Sequence, residues 1–170
     1  MPRDLALRRT LTVRAPDGAK LVLLKKRGES IEHVATKAVL WALYRVRYPD
    51  LAVEVPVGDV YKPDLVALAP PPGGLAYGPE RPVFWAEAGK VSEAKWRALF
   101  RRFPETHFVA GKWGRAAPHE RVLRRALAGR PRDGAVELLG LGDPTRFLGP
   151  DGTVAVPEGA LERIELAPGA

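Results

Sequence analysis

The sequence predicts an α/β protein with a mixed β-sheet flanked by helices on both faces. Two observations lead there. The first is a change of apolar period along the chain. Alternating or β-branched runs interleave with stretches at helical spacing, in the order β-β-α-β-β-β-α-β-α followed by a β-rich tail. The second is size: 170 residues, 46% hydrophobic and 28% charged, suit one domain able to bury a core without staples. There is no cysteine, which excludes disulfides, thiolate catalysis and Cys-based zinc sites.

The first strand is expected over Leu5 to Arg14 and the second over Leu21 to Lys26, joined as a hairpin at Pro16-Asp17-Gly18. Ser30 offers an N-cap. Ile31, Val34, Ala35, Ala38 and Ala42 then recur at helical spacing toward Tyr48, before Pro49. Strands are expected at Leu51 to Val57 and Lys62 to Ala69, then a loop from Pro70 to Pro82 with five prolines and three glycines. Pro82 to Ala88 is aromatic and β-branched, the pattern of a central strand. Ser92 caps a helix that buries Trp96, Leu99, Phe100 and Phe103, and Thr106 to Lys112 is a further strand. Pro118 opens a helix with Val122, Leu123, Ala126 and Leu127 inward, closed at Gly129. The sequence divides into a main α/β unit over 1–130 and a β-rich extension of the same domain over 131–170, with a hairpin at Pro150-Asp151-Gly152 and a last strand at Leu161 to Leu166.

The formal net charge is +7, and it is unevenly placed. Val91 to Arg132 holds eleven Lys and Arg against three Asp and Glu, a net +8. A basic third on a neutral remainder points to a polyanion, nucleic acid above all. Lys95, Arg97, Arg101 and Arg102 on one helix and Arg121, Arg124 and Arg125 on the next are the expected backbone-phosphate contacts. The alternative is a set of solvated helix faces rich in arginine.

Standard nucleophile and nucleotide motifs are missing: no GxSxG, no Walker lysine loop and no dinucleotide fingerprint. His33, His107 and His119 show no metal-ligand spacing, and His107 suits a hydrogen-bonded core position. Three acids stand out. Asp64 opens a strand directly after Pro63. Glu87 lies within the most hydrophobic strand, where an uncompensated carboxylate costs several kcal/mol. Glu32 lies in the first turn of the first helix. Two carboxylates on adjacent strands suit a hard divalent cation such as Mg²⁺, with the two groups within about 6 Å of each other. The competing readings are a strand-entry turn for Asp64, a buried pair with Arg45 or Arg47 for Glu87, and a helix-dipole contact for Glu32.

Pro63-Asp64, a strand, a loop and a strand ending Glu87-Ala88-Gly89-Lys90 resemble the PD-(D/E)XK nuclease superfamily. Its YaeQ-like branch is the more similar: an N-terminal hairpin, Gly28-Glu29-Ser30-Ile31-Glu32-His33 opening a helix, an acidic step, then Phe84-Trp85-Ala86-Glu87-Ala88-Gly89 before a capped helix. The resemblance covers about residues 5 to 112. It implies a restriction-endonuclease-like mixed sheet, with Asp64 and Glu87 as ligands of Mg²⁺ or Mn²⁺ and Glu32 as the helix glutamate. It also implies a lysine two residues after Glu87, and there this chain departs, with Gly89 at that position. YaeQ-like proteins also lack a lysine there. Lys90 falls on the face opposite Glu87 unless Gly89 forms a bulge. Lys62 shares the face of Asp64, and Lys37 is one helical turn from His33.

The function expected on these grounds is metal-dependent phosphodiester hydrolysis on bound nucleic acid, with Glu32, Asp64, Glu87 and Lys90 or Lys62 at the centre. The alternative is a non-catalytic nucleic-acid-binding or protein-interaction module on the same fold. No apolar run reaches the roughly 20 residues of a membrane span, and the first ten residues lack a signal-peptide core, so a cytoplasmic protein is expected. A homodimer is compatible with this pattern. Seventeen prolines and one methionine hint at a thermophile.

Overall fold

Turn chemistry and capping set the first elements. In the computed structural model, which describes residues 9–70 and 80–166, β1 (Thr10–Arg14) and β2 (Lys20–Leu24) form an antiparallel hairpin apart from the main sheet. Gly18 supplies the positive φ of the turn, +86°. The Ser30 Oγ accepts the His33 N–H at 3.2 Å and starts α1 (Ile31–Tyr44).

β3 (Ala52–Val53), β4 (Leu65–Ala69) and β5 (Arg81–Ala88) form an antiparallel meander. The chain then winds through α2 (Glu93–Arg102), β6 (His107–Trp113), α3 (Ala117–Leu127) and β7 (Val136–Gly142), so that β5, β6 and β7 run parallel. A 3-10 turn (Pro144–Phe147) precedes β8 (Glu162–Leu166), antiparallel to β7. The sheet order is β3-β4-β5-β6-β7-β8. The mixed sheet between helical layers is the architecture the sequence predicts, and the last forty residues supply two of its strands.

The sheet is buried on both faces, which explains why its parallel strands read as nearly continuous apolar runs. Phe84, Ala86, Val109, Leu139 and Leu141 face α1 and the hairpin. Trp85, Phe108, Ala110 and Leu138 face Trp96, Leu99 and Phe100 of α2 and Leu123, Ala126 and Leu127 of α3. At the end of the sheet where β6 and β7 begin, His107 is buried with Tyr48 Oη 2.9 Å from its Nδ1 and Glu137 Oε1 2.5 Å from its Nε2. Tyr44 and Arg163 also donate to Glu137. No described helix is long and apolar enough to cross a membrane.

Three boundaries differ from expectation. α1 stops at Tyr44 rather than near Tyr48: Val46 is 78% exposed and has no core to enter, while the Tyr48 ring turns back onto Phe84 at 4.6 Å. The strand expected over Leu51 to Val57 shrinks to two residues because Glu54 takes φ +55°, where extended pairing ends. Its N–H donates instead to the Asp64 carbonyl at 2.9 Å. β4 opens at Leu65 rather than Lys62, since Pro63 has no N–H for a ladder. The parts of the expected first strand and proline loop at 5–8 and 71–79 lie outside the described residues.

Candidate active site

The candidate site lies at the carboxyl ends of β5 and β6, the end of an α/β sheet where ligands bind. Register brings its acids together. Leu65 pairs with Ala86, so one step further Asp64 stands across from Glu87. Directly opposed residues of an antiparallel pair share a face. Asp64 is pinned by the Ala88 N–H, which donates to its Oδ2 at 2.7 Å, and by His33, whose Nε2 lies 3.3 Å from its Oδ1.

Glu87 is 4% exposed. Its Oε1 accepts from Trp85 Nε1 and pairs with Lys95 Nζ, each at 2.7 Å. Burial pushes its carboxyl above the usual value, Lys95 opposes that, and the neighbouring Asp64 charge pushes it up further. A cation shared by the two carboxylates would relieve both costs. Two hard oxygen donors, with water and substrate phosphate completing the sphere, are what Mg²⁺ takes, so the donor set fits that ion. Among the described residues no group of three or more His, Asp or Glu is assembled that could hold a metal, so the protein's share would be these two acids.

Lys112 is the functional candidate that motif reading missed. Glu87 pairs with Ala110 and Ala88 with Gly111 across the parallel β5-β6 ladder, which sets Lys112 beside Gly89. It alternates with Ala110, on the face of Glu87. It is 2% exposed, and its Nζ has no hydrogen-bond partner among the described residues. Burial pulls its ammonium down to about 8, against the opposing pull of Glu87 and Asp64. The signal in the sequence was a lysine near the end of an apolar strand, with the parity of Phe108 and Ala110.

The lysines named from the motif lie elsewhere. Gly89 turns at φ +85°, and a Cβ there would sit 2.7 Å from the Trp113 ring. The chain therefore leaves the sheet at once, and Lys90 is exposed, close enough to His119 to depress its pKa alongside burial and Lys112. Lys62 precedes the strand and is exposed. Lys37 is fully buried in another cluster, 2.6 Å from Glu29 and 2.8 Å from Glu54, which also pairs with Lys26 at 2.6 Å. Glu32 is half-buried with no hydrogen bond or ion pair among the described residues; helical phase aims its neighbour His33 at Asp64 instead. Glu87 pairs with neither Arg45, which holds Asp17, nor Arg47, which lies over the Tyr48 ring.

The basic helices are partly self-neutralised. Glu93 binds Arg97 and Arg125, Glu120 binds Arg124, Asp59 binds Arg102, and Glu87 binds Lys95. Of the seven predicted phosphate contacts, Arg101 and Arg121 are exposed and form no ion pair among the described residues.

The fold and site together define an α/β protein with paired acids and a buried lysine at the carboxyl ends of its central strands. No protein-family model matches the chain, and no curated protein matches it. Among solved structures it is similar to the YaeQ protein of Pseudomonas syringae, with TM-score 0.59 and 16% identity over 92% of this chain and 86% of that one. It is also similar to the YaeQ protein of Xanthomonas axonopodis pv. citri, with TM-score 0.50 and 18% identity over 77% and 72% of the two chains. The chain has a YaeQ-like fold, and the likeness extends into the C-terminal region beyond the span of the motifs.

Proposed function

We propose that this protein binds nucleic acid and hydrolyses phosphodiester bonds with Mg²⁺ or Mn²⁺, on a site of the PD-(D/E)XK kind. One observation carries the proposal: Asp64 and Glu87 face each other across β4 and β5, with the ammonium of Lys112, unpartnered among the described residues, buried on the same side. Asp64 and Glu87 would hold the ion. Bound there, it supplies Lewis-acid polarisation of the phosphodiester and a water of lowered pKa. Lys112 offers three N–H donors to a non-bridging phosphate oxygen and offsets the charge that builds on it. His33 fixes the Asp64 carboxylate, and Trp85 fixes that of Glu87. Among the described residues, Arg101 and Arg121 are the helix cations open to flanking phosphates.

The test is cleavage of plasmid, single-stranded DNA and RNA in Mn²⁺. Wild type should cut at least one of them, while Asp64→Ala, Glu87→Ala and Lys112→Met should each lose about a hundredfold or more of the rate, the scale of one preorganised transition-state contact. Intact substrates that are nonetheless bound would leave the binding module. The Lys95–Glu87 pair favours that second reading, because it neutralises one carboxylate without a metal.

A further inference from the structure

We propose that Lys95 is a displaceable internal counter-ion of this site: its ammonium holds the place of a cation on Glu87 until an anionic substrate draws it away, so that divalent metal and phosphodiester load together. The inference rests on Asp64 and Glu87 being the metal ligands.

The contacts around Glu87 separate a fixed partner from a mobile one. Trp85 and Lys95 both reach Oε1 at 2.7 Å. Trp85 is fully buried between α2 and the sheet and cannot leave. Lys95 rides on the first turn of α2, where Ser92 Oγ accepts its backbone N–H at 3.2 Å and anchors the helix start. Its backbone is therefore fixed, while its side chain is 19% exposed. Four rotatable bonds let the head swing from Glu87 to a group at the mouth. The ring of Tyr61, 5.5 Å from Nζ, steadies the ammonium at the edge of the site.

Charge supplies the coupling. Asp64 and Glu87 face two ammonium groups, Lys95 and Lys112, so the cluster is close to neutral without a metal. A divalent ion entering alone must displace Lys95 and then meet two cations. A phosphodiester alone would bring its negative charge beside two carboxylates. Arriving together, each removes the other's repulsion, with Lys95 turned to the phosphate and Glu87 to the metal. Such coupling is reciprocal: substrate tightens metal by the factor by which metal tightens substrate.

Mn²⁺ affinity, read by electron paramagnetic resonance of the free ion at pH 7.5, tests this without catalysis. Lys95→Met should bind Mn²⁺ about tenfold tighter than wild type, within the usual range of coupling between sites. Lys95→Gln should do the same, which guards against a variant that folds poorly. Lys95→Arg keeps a cation against Glu87 and should stay near wild type. Dimethyl phosphate in excess should tighten Mn²⁺ in wild type more than in Lys95→Met. Equal Mn²⁺ affinity in folded wild type, Lys95→Met and Lys95→Gln would overturn the counter-ion role and leave the metal site standing. No Mn²⁺ binding in any of them at millimolar concentration would overturn the metal site, and this role with it.

Discussion

Lys112→Met should make the protein more stable while removing the proposed phosphodiester cleavage. The lysine is 2% exposed and its Nζ has no hydrogen-bond partner among the described residues. Burial lowers its pKa from 10.5 to about 8. At 1.36 kcal/mol per unit, holding the proton in the folded state costs about 3 kcal/mol. Below pH 8 the lysine is charged in both states, so the cost is carried in full. Between about pH 8 and 10.5 the folded protein releases the proton while the unfolded chain keeps it, so stability rises with pH across that window. Methionine matches the length of the aliphatic stem and has no charge. The variant should therefore exceed wild type by about 1–3 kcal/mol at pH 7 after allowance for imperfect repacking, and the gap should narrow toward pH 10. Urea unfolding at pH 7 and 10 measures it, as a shift in midpoint at unchanged m-value. A variant less stable than wild type at pH 7, or a gap that ignores pH, would refute the claim that this ammonium is under-compensated.

Three further outcomes follow from the geometry. Salt bridges from Lys26 and Lys37 outweigh burial and hold the Glu54 carboxyl at about 2, so its contribution is present above pH 4.5 and is lost as pH falls through about 2; Glu54→Gln should cost about 1–2 kcal/mol at pH 7 and flatten the acid limb of the stability curve. Gly89→Ala places a Cβ against Trp113 at positive φ and should cost about 2–4 kcal/mol, with a change in tryptophan fluorescence. If nucleic acid binds the α2-α3 face, Arg101→Ala with Arg121→Ala should reduce the log–log salt slope by about 0.9 for each phosphate no longer neutralised, whereas Arg97→Ala with Arg125→Ala should change it less, because those two already share Glu93.

Much of the fold was legible because local chemistry and tertiary packing agree. Ser30 and Ser92 each cap the helix that follows them in sequence. Trp96, Leu99 and Phe100 fall on one stripe and are buried together. The apolar run from Val83 to Ala86, broken only by Glu87 before Ala88, marks a strand covered on both faces. What escaped depends on partners distant in sequence. Nothing near Val55 announces that Glu54 will leave the strand region, because it is held by Lys26, between the hairpin and α1, and by Lys37 of α1. The charge of the basic third is visible, but its cancellation is not: Arg125 meets Glu93 from thirty-two positions away.

The site shows the same limit in its sharpest form, and the reason is geometric. Asp64 and Glu87 could be suspected from sequence because each breaks a local rule, one by following a proline into a strand and the other by sitting charged in an apolar run. The lysine gives a fainter signal, a charge near the end of its apolar strand, where a solvent-facing side chain is the ordinary reading. A motif read along one chain segment looks for it two residues past Glu87, where this protein has Gly89. The parallel register sets Lys112 alongside that very residue on β6, and neighbouring strands lie about 4.8 Å apart, less than the reach of a lysine stem. The same ammonium can thus enter one site from either strand, provided the vacated position is small. Gly89 meets that condition: its missing side chain admits the Trp113 ring, and its left-handed turn carries Lys90 out to solvent. Under the proposed function, the glycine at the motif's lysine position and the lysine one strand over are two parts of a single arrangement. On that account, moving the lysine to position 89 in the Lys112→Met background should not restore cleavage, because its stem would collide with Trp113; a double variant that regained the wild-type rate would show that the strand of origin is immaterial and that Trp113 yields.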